Sequence, residues 1–390
     1  MAAPAHMTSR QRIDAVFAGQ PTDRVPVCHI GLCSESASHV LGREAYVGGG
    51  IQQWREVKSL WEGPDSHAEF VERSYQDAVA VSMALGNDFI RPTYWRCNRK
   101  PHRKINGNTY ILGDGPEESW QVLTYDPLTE QAAITPYKPR PTDDLTLAGI
   151  EEGIRRQEER LPDHSPTRVA DEFARRAMAE HGNEYAIRVG GVGLGIPHNQ
   201  TWMEALALRP ELVERHTTVS AAYSARNVQV LVAEGFHYLF GGYDFASNTG
   251  PMFSPALFNR LMVPGLRQIT DACDQAGAKH LFASDGHLWP VAQGLFGVAG
   301  IHGYYEIDAS AGMDLRRLRD AFPDLVLLGN IQSQTVHLGT REDVINETRS
   351  CMEAALDLGR IIVGVSNYLV PGTPPGNIEA MLTTIEDMRG

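Results

Sequence analysis

Leu325-Val326-Leu327-Leu328 and Ile361-Ile362-Val363 are short apolar runs with no polar interruption. A strand with one wet face alternates apolar and polar residues. A run that is apolar at every position suits a parallel strand covered on both faces. Between the two runs, Thr340 and Asp343 open the stretch 341–358 with a capping-box-like pattern, Asp standing in place of the usual Glu. The local order is therefore strand, helix, strand.

The same order recurs outward along the chain. Eight runs emerge, at 25–31, 88–95, 185–193, 238–245, 279–286, 300–307, 325–331 and 360–367. Helical stretches fall between them. The stretch 66–85 precedes the second run, and 210–234 precedes the fourth and stops at Gly235, a C-cap type. Ser254 and Pro255 open a further helix as N-cap and first helical residue; it runs toward Gly277, with a kink expected at Pro264. Alternation of this kind, eight times over, predicts an α/β fold, a (β/α)8 TIM barrel rather than an open sheet. One segment breaks the pattern. Residues 104–136 carry the turn signals Asn106-Gly107-Asn108 and Gly113-Asp114-Gly115 and an alternating run from Trp120 to Tyr125. They predict a β-hairpin or small meander inserted after the second strand. Residues 142–181 read as helical. There is no internal repeat. Residues 1–7 read as a disordered tail, and 8–390 as a single domain.

The 390 residues are 42% hydrophobic and 21% charged, ordinary for a globular protein with a sizeable core. No uninterrupted apolar run is long enough to span a membrane, and the first ten residues lack the apolar centre of a signal peptide. A net charge of −13 argues against non-specific nucleic-acid binding. Five cysteines, an odd number, argue against a disulfide framework and for a reducing cytoplasm.

Barrel enzymes take their catalytic groups from strand C-termini and the loops after them. That rule points to His29, Trp95, Tyr243 with Asp244, Asp285 with His287, Glu306, Asn330 and Asn367. Asp244, Asp285 and Glu306 come from successive strands and are expected to converge. Three carboxylates in one cleft repel each other, so at least one must be protonated, paired with a cation or bound to a metal. They are the expected catalytic groups. His287, two residues past Asp285, is a candidate to join Asp285 and Glu306 as a metal ligand. His29, Trp95, Tyr243, His287, Asn330 and Asn367 are candidates for substrate binding. Asp308 and Asp314 read as turn and cap residues. Cys28, Cys33 and Cys97 read as packing residues. The glycine-rich stretch 190–195 lacks the spacing of a phosphate-binding loop and reads as close backbone packing.

Several short motifs carry a family resemblance. They are Asp23-Arg24-Val25-Pro26-Val27, Leu85-Gly86-Asn87-Asp88-Phe89, Tyr243-Asp244-Phe245-Ala246 with Gly250-Pro251 and Ser254-Pro255, and Ser284-Asp285-Gly286. Ala311-Gly312-Met313-Asp314, Leu338-Gly339-Thr340 and Thr373-Pro374-Pro375-Gly376-Asn377 follow. In this order the chain, over about residues 8–389, resembles the uroporphyrinogen decarboxylase superfamily. That group includes the decarboxylase, corrinoid-linked methyltransferases and the catalytic domain of cobalamin-independent methionine synthase. The resemblance implies a TIM barrel and gives Asp88 the position of the decarboxylase's catalytic aspartate.

The departures narrow the function. The decarboxylase's arginine-rich segment is here His29-Ile30-Gly31-Leu32-Cys33-Ser34-Glu35, without arginine. The methyltransferases' zinc-binding His-x-Cys pair becomes Ala283-Ser284-Asp285, and their late cysteine becomes Asn367. Glu306 matches a further zinc ligand of the methionine synthase branch. The resemblance thus implies a methyltransferase or demethylase that moves a methyl group from a small methylated substrate or corrinoid to a corrinoid or tetrahydrofolate acceptor. It also implies a corrinoid protein as partner, homodimer formation, and zinc or another divalent metal in an oxygen-rich site. Two alternatives stand beside it: a decarboxylase of a small acid using Asp88, and a non-catalytic corrinoid- or tetrapyrrole-binding protein.

Overall fold

The computed structural model describes residues 6–113, 120–136 and 146–390. Strands in chain order are β1 (Gly31–Leu32), β2 (Phe89–Ile90), β3 (Pro101–Lys104), β4 (Thr109–Leu112), β5 (Gln121–Asp126) and β6 (Gln131–Pro136). Then come β7 (Ala186–Ile187), β8 (Tyr238–Gly242), β9 (Ala246–Ser247), β10 (Gly250–Pro251) and β11 (Lys279–Ala283). The last are β12 (Gly303–Tyr305), β13 (Val326–Leu328), β14 (Ile361–Ile362) and β15 (Tyr368–Leu369). Three early helices matter below: α1 (Ser9–Phe17), α2 (Ser34–Leu41) and α3 (Gly50–Glu62).

The protein is α/β with parallel strands. Its largest sheet runs β14-β13-β12-β11-β8, every pair parallel. β1 pairs with β15 and β2 with β7, again in parallel. Single parallel bridges join Val27 to Val363 and Val189 to Leu239. The Asp88 N–H donates to the Val27 carbonyl at 2.7 Å. The ladders are thus shorter than the apolar runs and do not form one continuous eight-stranded sheet.

Both faces of the large sheet are covered, as the uninterrupted runs require. Leu281, Ala283, Tyr305, Val326 and Leu328 pack in one cluster with Ile13, Val16 and Phe17 of α1. The alternate residues Phe282, Tyr304, Leu327 and Ile361 pack in the other. α1 is held in its direction by a capping box between Thr8 and Gln11.

The segment after β2 is a four-stranded antiparallel meander, β3-β4-β5-β6. It begins at Pro101, slightly earlier than expected, and residues 114–119 of its turn signal lie outside the described residues. Tyr110, Leu112 and Leu123 of the meander pack with Val57 of α3 and with Cys97. α3 starts so close to β6 that a Cβ at Gly50 would collide with the backbone of Gln131 and Ala132. The β5–β6 turn carries Glu130 at φ 51°, and its carboxylate accepts the N–H groups of Ser34 (2.7 Å) and Glu35 (3.1 Å) at the start of α2. A carboxylate there satisfies two backbone donors that the helix leaves free.

Two local expectations change. Pro264 does not kink one long helix. Separate helices run Pro255–Leu261 and Val263–Ala276, and Pro264 sits in the first turn of the second, where its missing N–H costs nothing. The stretch read as helical from 142 holds the helices Leu147–Arg160 and Glu172–His181, and its residues 142–145 lie outside the described ones. Of the N-terminal tail, residues 1–5 lie outside the description; Met7 donates its N–H to Asp23 at 3.0 Å. Among the described residues no helix is long and apolar enough to cross a membrane.

Candidate active site: a carboxylate trio beside two arginines

Gly242, Ala283 and Tyr305 lie in one register row across β8, β11 and β12. Asp244 and Asp285 follow that row by two residues and Glu306 by one. Consecutive strands therefore deliver three carboxylates to one edge of the sheet, and one oxygen from each lies within 4.8 Å of the others. The Asp285 N–H donates to Asp244 Oδ1 at 3.1 Å. Asn367 Nδ2 donates to Asp285 Oδ2 at 2.8 Å, and Asn367 Oδ1 accepts from the Tyr368 N–H at 2.6 Å. Asn367 is thereby oriented from behind and holds Asp285 in turn.

The backbone bends to make this cluster. Glu306 stands at φ 62°, a left-handed conformation uncommon outside glycine and asparagine. Gly286, after Asp285, has φ 90°, and a Cβ there would lie 2.7 Å from the Ser247 carbonyl. Only glycine lets this loop pass so close to β9.

Burial pushes the Glu306 carboxyl up to about 7. Arg188 and Arg91 oppose that rise, and the charges of Asp285 and Asp244 add to it. Asp285 is pushed up to about 6 by burial, then by Asp244 and Asp308, against the bond from Asn367. Two carboxyls therefore change protonation near neutrality, the range in which a proton donor or acceptor works best. A cleft of about 580 Å3 opens beside them, lined by Gly193, His198, Gly242, Tyr243, Asp244 and Glu306 among others. The Tyr243 ring packs on Gly195, where any side chain would collide, so the glycine-rich stretch is close packing as expected.

The structure adds two residues that the sequence reading passed over. Phe89 pairs with Ala186 and Ile90 with Ile187, so Arg91 and Arg188 are the next residues on two neighbouring strands. Both guanidinium groups donate to one acceptor, the Ile30 carbonyl, at 2.7 and 3.3 Å. Arg91 stacks on the Tyr94 ring at 4.4 Å, and Arg188 on the rings of Phe240 (4.8 Å) and Tyr305 (5.3 Å). Burial and then the charge of Arg188 pull the Arg91 pKa down. The sequence signal was present: each arginine ends a short apolar strand. It was hidden because the apolar runs were read as extending several residues further.

Other expected site residues stand elsewhere. Asp88 begins its strand rather than ending it and is fully buried. Its carboxylate accepts from Arg12, from Arg389 Nη2 at 2.6 Å and from the Val27 N–H at 2.8 Å. It is committed to a structural ion cluster and does not join the trio. His29 lies between Cys28 and Ile30, which face the α1-side cluster, so it points the other way. Its Nδ1 accepts from the Val365 N–H at 3.1 Å, and burial pushes its pKa down to about 4. Asn330 donates to the Met313 carbonyl at 3.2 Å and faces Cys351, so it packs behind the sheet. His287 turns its Nδ1 to the Ala311 carbonyl at 2.8 Å and is not among the groups gathered around the trio. Trp95 is 54% exposed and lies against Gly49, whose N–H donates to Tyr368 Oη at 2.8 Å. Asp308 and Asp314 cap short helices, as read.

Among the described residues, the groups gathered closely enough to hold a metal here are oxygen donors. All five cysteines are buried: Cys28 in the α1-side cluster, Cys97 under the meander, and Cys33 capping α2. A thiolate-bound zinc does not fit this donor set. A hard divalent cation held by Asp244, Asp285 and Glu306 does.

No curated protein sequence matches the chain. Among solved structures, D-psicose 3-epimerase crystallised with D-fructose is 11% identical, with a TM-score of 0.34 over 61% of this chain and 85% of that one. A sugar phosphate isomerase/epimerase from Parabacteroides distasonis is 9% identical, with a TM-score of 0.32 over 62% and 88%. A β-L-arabinopyranosidase from Geobacillus stearothermophilus is 11% identical, with a TM-score of 0.34 over 99% and 79%. The family model for uroporphyrinogen decarboxylase (URO-D) matches residues 193–388, just over half of the chain. That span contains β8, β11 and β12, all three carboxylates and Asn367, so the chain belongs to the uroporphyrinogen decarboxylase superfamily.

Proposed function

We propose that the protein is a methyltransferase or demethylase of this superfamily in which Glu306 and Asp285 supply the proton that a departing heteroatom needs. The observation that carries this reading is the pair of carboxyls raised to about 7 and about 6 in one cluster. The methyl–oxygen or methyl–nitrogen bond breaks, its electron pair stays on the heteroatom, and the Glu306 carboxyl proton neutralises it. The methyl group passes to a corrinoid or folate acceptor. Burial first, and then the charges of Asp285 and Asp244, keep Glu306 protonated, and Asn367 holds Asp285 in place. A hard divalent cation on the trio would act in place of that proton, since it binds the ionised carboxylates, and would itself supply charge stabilisation at the heteroatom. The architecture we read beneath the site is a closed (β/α)8 barrel formed by residues 8–390, with the meander as its insertion. The bridges that tie β7 and β14 toward their neighbours, and the Asp88–Val27 bond, support that reading.

A decarboxylase of a small acid is the second reading. It is favoured by the two arginines beside Glu306, although not through Asp88, whose oxygens are already engaged. The test is turnover of aryl and alkyl methyl ethers and methylamines with a cobalamin or tetrahydrofolate acceptor, and carbon dioxide release from organic acids. Glu306→Gln and Asp285→Asn are expected to lower methyl transfer by about 100-fold or more. In the wild type the rate should fall as pH rises past about 7, where Glu306 gives up its proton. Full turnover in both variants would sink the assignment. Elemental analysis of the wild type and Asp285→Ala checks the cation.

A further inference from the structure

We infer that Arg91 and Arg188 form a binding site for the carboxylate of a small organic acid, so that the molecule acted on at Glu306 is anchored by an anionic group. The inference rests on reading the carboxylate trio as the reacting end of the site.

The first argument is charge. Two guanidinium groups stand side by side and share one carbonyl, Ile30 O, and Arg91 Nε adds the Thr93 carbonyl at 3.3 Å. Among the described residues neither has a carboxylate within ion-pair distance, although several deeply placed arginines do. Arg12 and Arg389 meet Asp88, and Arg96 meets Glu56. Arg319, which also lacks a carboxylate partner, is surrounded by carbonyls, those of Phe322, Pro323, Leu325, Gly359 and Arg360. Burying adjacent like charges is costly unless an anion completes them. The acid whose charge acts on both is Glu306, but it forms no ion pair with either and is gathered instead with Asp244 and Asp285, one oxygen of each within 4.8 Å of the others. The compensating charge therefore arrives with the ligand.

The second argument is shape. A Cβ at residue 31 would lie 2.7 Å from Arg91 Nη1, so the arginine reaches its place only because Gly31 has no side chain. The rings of Tyr94, Phe240 and Tyr305 fix the guanidinium planes from their faces. Held guanidinium forks match the two oxygens of a carboxylate. A monoanion also fits better than a phosphate dianion, because three carboxyls stand nearby and repel added negative charge.

The experiment is calorimetric titration of the full-length protein at low salt and pH 6.5 with benzoate, with its uncharged analogue benzamide, and separately with inorganic phosphate. Benzoate is expected to bind about tenfold or more tightly than benzamide. Arg188→Met should remove that advantage, and Arg188→Lys should restore part of it. Equal binding of benzoate and benzamide, or no benzoate binding, overturns the inference. Tighter binding of phosphate than of benzoate overturns the carboxylate assignment. A folded Arg188→Met protein that binds benzoate as the wild type does overturns the role of the arginine. If that variant does not fold, the wild-type comparison of benzoate with benzamide decides alone. Binding is read without turnover. Unimpaired turnover in Glu306→Gln and Asp285→Asn would therefore defeat the reaction proposed above and leave the benzoate result standing.

Discussion

Glu306 combines a strained backbone with a carboxyl whose pKa lies far above that of a free glutamate, and both follow from its place one residue beyond β12. Its effect on stability has a definite sign. The folded pKa is about 7 against 4.5 for the free group, so the folded state binds this proton more tightly than the unfolded chain does. The favourable contribution is complete below about pH 4.5 and is lost as pH rises through 7. Glu306→Gln, which keeps the shape and removes the titration, is expected to stabilise the protein at pH 8 by about 1–2 kcal/mol, less than the bare shift implies because water screens a half-buried group. At pH 4 the two proteins should be nearly equal. Urea midpoints at the two pH values measure this, and an unchanged gap between them would refute it. The trio itself was legible in the sequence, because strand-end carboxylates on successive strands have one edge to go to. Two of the residues that were misplaced, His29 and Asn330, share a cause. Where both faces of a strand are apolar, nothing in the alternation says which residues face which way. Cys28 and Ile30 take one face, and His29 is left with the other.

At the scale of elements, the meander is seated on α3 and tied to α2 through one turn. Glu130 at that turn accepts two backbone N–H groups of α2, which has its own cap in Cys33 Sγ, bonded to the Ser36 N–H. Glu130→Ala should cost about 1–2 kcal/mol, the range for losing a helix-end acceptor and leaving its donors to water. Thermal unfolding would read it; a midpoint within error of wild type would mean that Cys33 alone suffices. The meander's existence was legible from its turn residues and its alternation. Its seat on α3 was not, because the close approach depends on Gly50, and a glycine at a helix start looks the same whether or not anything lies against it. Strand lengths were also overread. Polar residues such as Arg91 and Arg188 sit inside otherwise apolar runs, and only the ladder shows that each strand stops just before them.

At the scale of the whole molecule, Asp23 at its rim and the buried Asp88, Arg12 and Arg389 form one cluster with two charges of each sign. It connects α1, the start of the second parallel strand and the end of the described chain. Against the upward push of burial, the bond from Arg12 holds the Asp23 carboxyl down to about 2. Arg389→Met leaves Asp88 with a single guanidinium and is expected to cost about 3–5 kcal/mol, the usual result of removing one partner from a buried ion pair. Chemical denaturation measures the loss; less than about 1 kcal/mol would show that Arg12 compensates alone. The same sequence feature misled and informed. The family resemblance gives Asp88 a catalytic position, and only the arrival of arginines from positions 12 and 389 shows its carboxylate engaged in an ion cluster.

That cluster also sets a timetable. Asp88 and Arg389 are 301 residues apart along the chain. While the protein is being synthesised, the carboxylate leaves the ribosome long before its second partner exists, and a contact of such high sequence separation closes late in any case. Protease digestion of nascent chains arrested before and after residue 389 would show the step, with protection around residue 88 arising only in the longer chain. For most of its synthesis, then, Asp88 has Arg12 as its one guanidinium partner, and completion of the cluster waits on translation.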